Sequence, residues 1–193
     1  MRLAAWNVRT LLDNADRHER RTAIISRELA RYDIDIAALS ETRISENSKF
    51  IETGGGYTFY CIGQPDGVAR QGGVGFAVRT AIASKLVTDP VGISTRLMTL
   101  ELCLPHGQRA TLLSVYAPTM LATDDAKENF YTQLDNTISA VPYKHKLFIL
   151  GDFNARVGRD FNVWKGILGR HGVGSENANG SLLLETCAKH ELA

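Results

Sequence analysis

The quartet Gly151-Asp152-Phe153-Asn154 follows the apolar run Leu147-Phe148-Ile149-Leu150, so a buried strand delivers an acid and, two residues on, an amide. Residues at the carboxyl ends of sheet strands sit on a rigid edge, where open α/β sheets bind their ligands. Taken alone, Gly, Asp and Asn also spell a turn. Two further apolar segments close in a comparable way: residues 3–7 end on Asn7, and residues 34–40 lead into Glu41. A hard divalent cation wants oxygen ligands, and magnesium takes one or two carboxylates while keeping waters and substrate phosphate oxygens. Glu41 with Asn7 nearby suits such a sparse site. Asp152, set apart as a second carboxylate, suits acceptance of a proton from an attacking water.

A fourth segment, Leu112-Leu113-Ser114-Val115-Tyr116-Ala117-Pro118, is a strand ending in a tyrosine, with a proline that stops ladder pairing. The ordered set Trp6-Asn7, Ser40-Glu41-Thr42, Gly73-Val74-Gly75, Tyr116-Ala117-Pro118 and Gly151-Asp152-Phe153-Asn154 resembles the endonuclease/exonuclease/phosphatase superfamily of metal-dependent phosphoesterases. Each motif is weak alone; the order and spacing of all five carry the resemblance from the start of the chain to about residue 154. Further on, Gly169-Arg170-His171-Gly172-Val173-Gly174, then Asn177-Ala178-Asn179-Gly180 and a leucine-rich helix, resemble the endonuclease domains of non-LTR retrotransposons and the related craniofacial development protein 2-like sequences.

The resemblance implies roles. Glu41 binds the metal directly, Asn7 supports metal and phosphate, and Tyr116 contacts the scissile phosphate. Asp152 positions or deprotonates the water, and Asn154 helps orient water and phosphate. Thr119 stands where family members often have an Asn, and its hydroxyl can still bond a phosphate oxygen. Arg43 and Arg70 are added as backbone contacts. The implied cofactor is magnesium, with manganese as its substitute. The implied partner is DNA, with a reverse transcriptase domain in a longer parent protein. The family closes its site with a C-terminal Ser-Asp-His, which this sequence lacks; neither His171 nor His190 follows an Asp.

To position these residues the sequence offers strands at 3–7, 34–40, 57–62, 73–79, 85–88, 97–104, 109–116 and 146–151, and helices near 17–31, 123–140 and 181–191. Thr123-Asp124-Asp125 caps a helix with Ala126, Phe130, Leu134 and Ile138 as its core stripe; Ala23, Ile24 and Ala30 form a stripe in the arginine-rich helix. The fold class expected is α/β: a two-sheet sandwich flanked by helices, one domain over 1–193, lacking the C-terminal strands of the family fold. That expected truncation keeps open a non-catalytic remnant or a binding module.

Composition fits a folded chain: 193 residues with 44% hydrophobic content can bury a sizeable core. No apolar stretch approaches the roughly 18 residues of a membrane span. Gly54-Gly55-Gly56 lacks the Lys-Ser or Lys-Thr of a phosphate loop, so no nucleotide cofactor is expected. Cys61, Cys103 and Cys187 fit reduced thiols, which places the protein in the nucleus or cytoplasm. The net charge is only +1. Between residues 142 and 171, however, six cations (Lys144, Lys146, Arg156, Arg159, Lys165, Arg170) face two acids, Asp152 and Asp160. Arg156, Arg159 and Lys165 are therefore candidate phosphate contacts, with Trp164, Phe161 and Tyr143 interleaved. The same cations also suit a phosphatase of this superfamily acting on a phosphoinositide or another small ester; the retrotransposon-like loop favours DNA.

Overall fold

The structure is a computed structural model describing residues 1–14, 18–45 and 47–193. In chain order its elements are β1 (Leu3–Asn7), α1 (Arg21–Arg31), β2 (Ile36–Ser40), β3 (Asn47–Glu52), β4 (Tyr57–Ile62), β5 (Val74–Arg79), α2 (Thr80–Ala83), β6 (Val91–Ser94), β7 (Leu97–Cys103), β8 (Arg109–Tyr116), α3 (Asp124–Ser139), β9 (Lys146–Asp152) and α4 (Ala178–Lys189). They form two compact units, Met1–Tyr116 with Tyr143–Asp152, and Ala117–Pro142 with Phe153–Ala193.

The first unit holds both sheets. One has the order β1-β2-β5-β4-β3, the other β6-β7-β8-β9. Pairing is antiparallel except for β1 with β2 and β8 with β9. The period-two alternation of a strand sorts side chains between faces. Ile36 and Ala38 of β2 and Val74, Phe76 and Val78 of β5 join Met98, Leu100, Ala110 and Leu112 in the core between the sheets. The opposite residues, Ala37, Leu39, Phe59 and Ala77, pack with Ile25 and Leu29 of α1. Every residue of β2 is therefore buried, which explains its unbroken apolar run.

The second unit contains α3, α4 and the loop between Phe153 and Asn177. The hydroxyl of Thr123 accepts from the Ala126 N–H, and Asp124 and Asp125 sit in the first turn, so α3 starts with a proper cap and a favourable charge for its dipole. Asn177 caps α4 by accepting from Gly180 N–H.

The two-sheet α/β class is as expected, and several boundaries differ. Residues 85–88 are not a strand: the amides of Lys85 and Leu86 bond back to Ile82 and Ala83, finishing α2, and Val87 lies exposed. The edge strands β3 and β6 were not foreseen, because Asn47-Ser48-Lys49-Phe50-Ile51-Glu52 carries the polar residues that blunt a sheet edge. Only Ser48, Phe50 and Glu52 turn inward in β3, where Phe50 stacks on Phe59 at 5.2 Å. Helix α1 begins at Arg21, whose N–H donates to Asp13; Arg17, the expected start, lies outside the described residues. Its buried stripe is Thr22, Ile25, Ser26 and Leu29 in place of Ala23, Ile24 and Ala30, a rotation of one residue. In α3, Phe130, Leu134 and Ile138 are buried, whereas Ala126 is exposed. Helix α4 starts at Ala178, three residues before the expected position. Among the described residues no helix is long and apolar enough to cross a membrane.

Candidate active site

Four of the candidate residues converge in the first unit. Asn7 closes β1, Glu41 directly follows β2, Tyr116 closes β8 and Asp152 closes β9. Parallel pairing in register puts Asn7 beside Ser40 and Tyr116 beside Asp152, so two ladders bring all four to one end of the sheets. Nδ2 of Asn7 donates to Glu41 Oε1 at 2.8 Å and to Asp152 Oδ2 at 2.9 Å. The Tyr116 hydroxyl donates to the same Glu41 oxygen at 3.2 Å. Gly151 has φ 147°, and a Cβ there would stand 2.0 Å from the Val115 carbonyl oxygen, so only glycine lets β9 run this close to β8 before Asp152.

Charge and burial shape what these groups can do. Tyr116 is 8% exposed. Burial first, then the charge and hydrogen bond of Glu41, raise its phenol above the ordinary tyrosine value, so it stays a hydrogen-bond donor at neutral pH. Arg96 also reaches this site. Its Nη1 donates to the Tyr116 carbonyl at 3.1 Å and its guanidinium lies 5.1 Å over the Tyr116 ring. Burial lowers its pKa from the ordinary arginine value, and no carboxylate pairs with it among the described residues. A Thr-Arg ahead of a strand gives no sequence signal for this contact.

Backbone strain gathers at the same place. Arg9, Glu41 and Arg43 all have positive φ, at 59°, 57° and 56°. Non-glycine residues in this region cost about 1–3 kcal/mol each and cluster at functional sites. The Arg9 amide donates to Asn7 Oδ1, so the amide nitrogen of Asn7, not its oxygen, faces the two carboxylates. Asn7 thereby holds Glu41 and Asp152 together. Arg43 Nη2 lies 3.6 Å from Glu41 Oε2, and Arg70 pairs with Asp66 at 3.5 Å.

Two carboxylates sharing one amide make an all-oxygen donor set that fits a hard divalent cation, which Glu41 would hold with Asp152 beside it. Among the described residues no group of three or more His, Cys, Asp or Glu lies together, so most of the coordination shell would fall to water and substrate.

The remaining candidates belong to the second unit. Asn154, at φ 48°, donates Nδ2 to the Ala117 carbonyl at 2.9 Å. Thr119 opens a turn in which its carbonyl accepts from Ala122 N–H. Arg156, Arg159 and Lys165 are exposed and join no ion pair among the described residues. The Asn-x-x-Gly motif organises this unit. Asn177 Oδ1 accepts from the Arg156 and Gly180 amides at 2.9 and 2.8 Å. Asn179 is 1% exposed, and its Nδ2 donates to the carbonyls of Pro118 at 2.8 Å and Asn154 at 3.1 Å. A Cβ on Gly180 would lie 1.9 Å from the Arg156 carbonyl oxygen, so the helix can approach the loop this closely only with glycine. In the sequence Asn179 is only one member of the Asn177-Ala178-Asn179-Gly180 motif, with no signal for its buried contacts. His190 Nε2 donates to Asp135 Oδ1 at 2.7 Å and has a structural partner there.

A two-sheet sandwich of mixed strands flanked by helices, with an amide, two acids and a tyrosine at its strand ends, defines the class of this protein as α/β. The chain belongs to the endonuclease/exonuclease/phosphatase family, whose model matches residues 4–182. It is 30% identical over 194 residues to craniofacial development protein 2 of Bos taurus, and 28% identical over 192 residues to that of Tragulus javanicus. Each alignment covers 98% of this chain, which spans about three-tenths of those relatives' length. An AP endonuclease of Leishmania major shares the fold with a TM-score of 0.58 and 15% identity, over 97% of this chain and 65% of that one. A TDP2 of D. rerio, solved with a single-strand DNA product, gives a TM-score of 0.46 and 18% identity over 82% of this chain and 61% of that one.

Proposed function

We propose that this chain is a divalent-metal-dependent phosphodiesterase, a DNA endonuclease of retrotransposon type that leaves a 3′-hydroxyl. The observation that carries the reading is the Asn7 amide bridging Glu41 and Asp152 while the Tyr116 hydroxyl rests on Glu41. Glu41, with Asp152 beside it and Asn7 holding both, would bind magnesium or manganese. A bound cation supplies Lewis-acid stabilisation of charge on the phosphate oxygens.

The chain's own groups do the rest. Asp152 accepts the proton of the attacking water at a carboxylate oxygen. Tyr116, kept protonated, turns its O–H from Glu41 to a phosphate oxygen as negative charge builds there. Arg96 fixes the tyrosine through its backbone carbonyl and ring face. The resemblance adds Asn154 and Thr119 as further phosphate donors; the local run of positive charge adds Arg156, Arg159 and Lys165, and Arg43 and Arg70 complete the proposed contacts along the DNA backbone. A longer parent protein with a reverse transcriptase domain, in the nucleus or cytoplasm, belongs to the same proposal.

Supercoiled plasmid incubated with the chain and magnesium should be nicked, the nicks should prime a DNA polymerase, and chelation should stop the reaction. Salt-sensitive DNA binding without nicking at any magnesium or manganese concentration would replace this reading by a binding module. Hydrolysis of inositol phosphates in preference to DNA would replace it by a small-ester phosphatase.

A further inference from the structure

We propose that the groove between α3 and α4 is a docking site for a basic amphipathic helix of a partner protein. The groove has a volume of about 730 Å³ and lies wholly within the second unit, among residues that the proposed chemistry does not use. Its walls are two helical seams. One side carries Glu128, Tyr131 and Asp135 of α3, the other Leu182, Glu185 and Lys189 of α4. Each set follows the three-and-four spacing that keeps residues on one face of a helix. The seams begin at Asp124 and Ala178, so each runs twelve residues, eleven steps of 1.5 Å or about 16 Å. A guest of three helical turns matches that length.

The groove is separate from the buried side of α3. Phe130, Leu134 and Ile138 form the buried stripe, and Tyr131 stands roughly 100° around the helix from Phe130. The opening therefore comes on top of the packing that already stabilises the helix.

Its polar groups are mostly spoken for. Lys127 pairs with Asp124 at 3.3 Å, and Asp135 takes both Lys189 and His190 at 2.7 Å. The Tyr131 hydroxyl donates to the Asn179 carbonyl, and the Thr186 hydroxyl to Leu182. What remains is an apolar strip with Tyr131 and Leu182, flanked by Glu128 on one wall and Glu185 on the other. Both are exposed, and neither is in an ion pair among the described residues. Two unmatched carboxylates lining the groove, one from each helix, repel phosphate and favour a helix with an apolar stripe and lysine or arginine on its flanks. The charge thus selects a basic protein segment over nucleic acid.

The test is fluorescence anisotropy on the full chain with two labelled sixteen-residue helical peptides. One carries leucines along one face and lysines beside them; its twin has glutamate for every lysine. The lysine peptide should bind about tenfold tighter or more, and the double change Glu128→Lys with Glu185→Lys should invert that preference. Both positions are exposed, so the variant should keep its fold by circular dichroism. Amide shifts on titration should fall on α3 and α4. The proposal is overturned if neither peptide binds, if the double variant keeps the original preference, or if the shifts map elsewhere. It is also overturned if the chain dimerises through this face and so excludes the peptide.

Discussion

Two regions of this molecule place their candidate residues by different means. In the first unit, Glu41 and Asp152 stand at the ends of paired strands and share a single amide, so the backbone ladders bring like charges together. In the second, Asn154 and Arg156 sit in a loop held by the side chains of Asn177 and Asn179. The ladders persist whatever acid they carry. The loop depends on two buried or half-buried amides. Changes at the strand ends should therefore remove chemistry and leave stability intact, while changes at the asparagines should do the reverse.

The largest effect expected is on the reaction. Asp152→Asn should lower nicking on the order of a hundred- to ten-thousandfold, the usual worth of a positioned acid or base. Glu41→Gly should be comparably slow, with weakened metal binding by calorimetry. Neither should melt below the parent. Asp152→Asn removes one of two adjacent carboxylates, and Glu41→Gly relieves a residue at φ 57°. A fall of several degrees in Tm for both would show that the strand-end set is structural, and the contrast between the units would collapse.

Next comes Asn179→Ala, which leaves the carbonyls of Pro118 and Asn154 without their donor in a buried site. The cost should be about 1–3 kcal/mol by denaturant unfolding, the penalty of unpaired buried polar groups. Asn177→Ala removes a cap and a bond to the Arg156 amide, and should cost about 1 kcal/mol. In the opposite direction, replacing Arg156, Arg159 and Lys165 together with Ala should leave stability unchanged and flatten the salt dependence of DNA binding. Equal stability of parent and Asn179→Ala would mean that the loop is held by something other than its asparagines.

The contrast also explains what the sequence could reveal. Asn7, Glu41, Tyr116 and Asp152 were legible because each ends an apolar run, and the same hydrophobic burial that makes a strand fixes where its last residue goes. Strands β1, β2, β4, β5, β7, β8 and β9 are legible within one or two residues for that reason, the edges β1 and β9 included because their sequences are apolar. The other two edges are not: β3 carries polar residues that local patterns assign to loops, and β6 is only the four residues Val91-Gly92-Ile93-Ser94, too short for a period-two signal. Asn179 and Arg96 stayed hidden for another reason. Their partners, Pro118 and Tyr116, lie 61 and 20 residues away, and a polar side chain reaching a distant carbonyl leaves no periodic trace.

The smallest effect concerns the tie between α3 and α4. Asp135 accepts from Lys189 and from His190, and those hydrogen bonds, Lys189 first, hold its carboxyl below the ordinary aspartate range. The unfolded chain binds that proton more readily than the folded one. The tie therefore contributes fully above the ordinary aspartate range, near pH 4, and is lost as pH falls from there through the lower folded value. The cluster is solvent-screened, so the contribution is small. Asp135→Asn should leave the acid limb of the stability profile shallower than the parent's, with little change in the activity of the strand-end site. The measurement is denaturant unfolding of both proteins between pH 3 and 6. If the two curves stay parallel down to pH 3, the Asp135 tie contributes nothing to the acid limb of stability, and the second unit is held by its buried stripe and its asparagines.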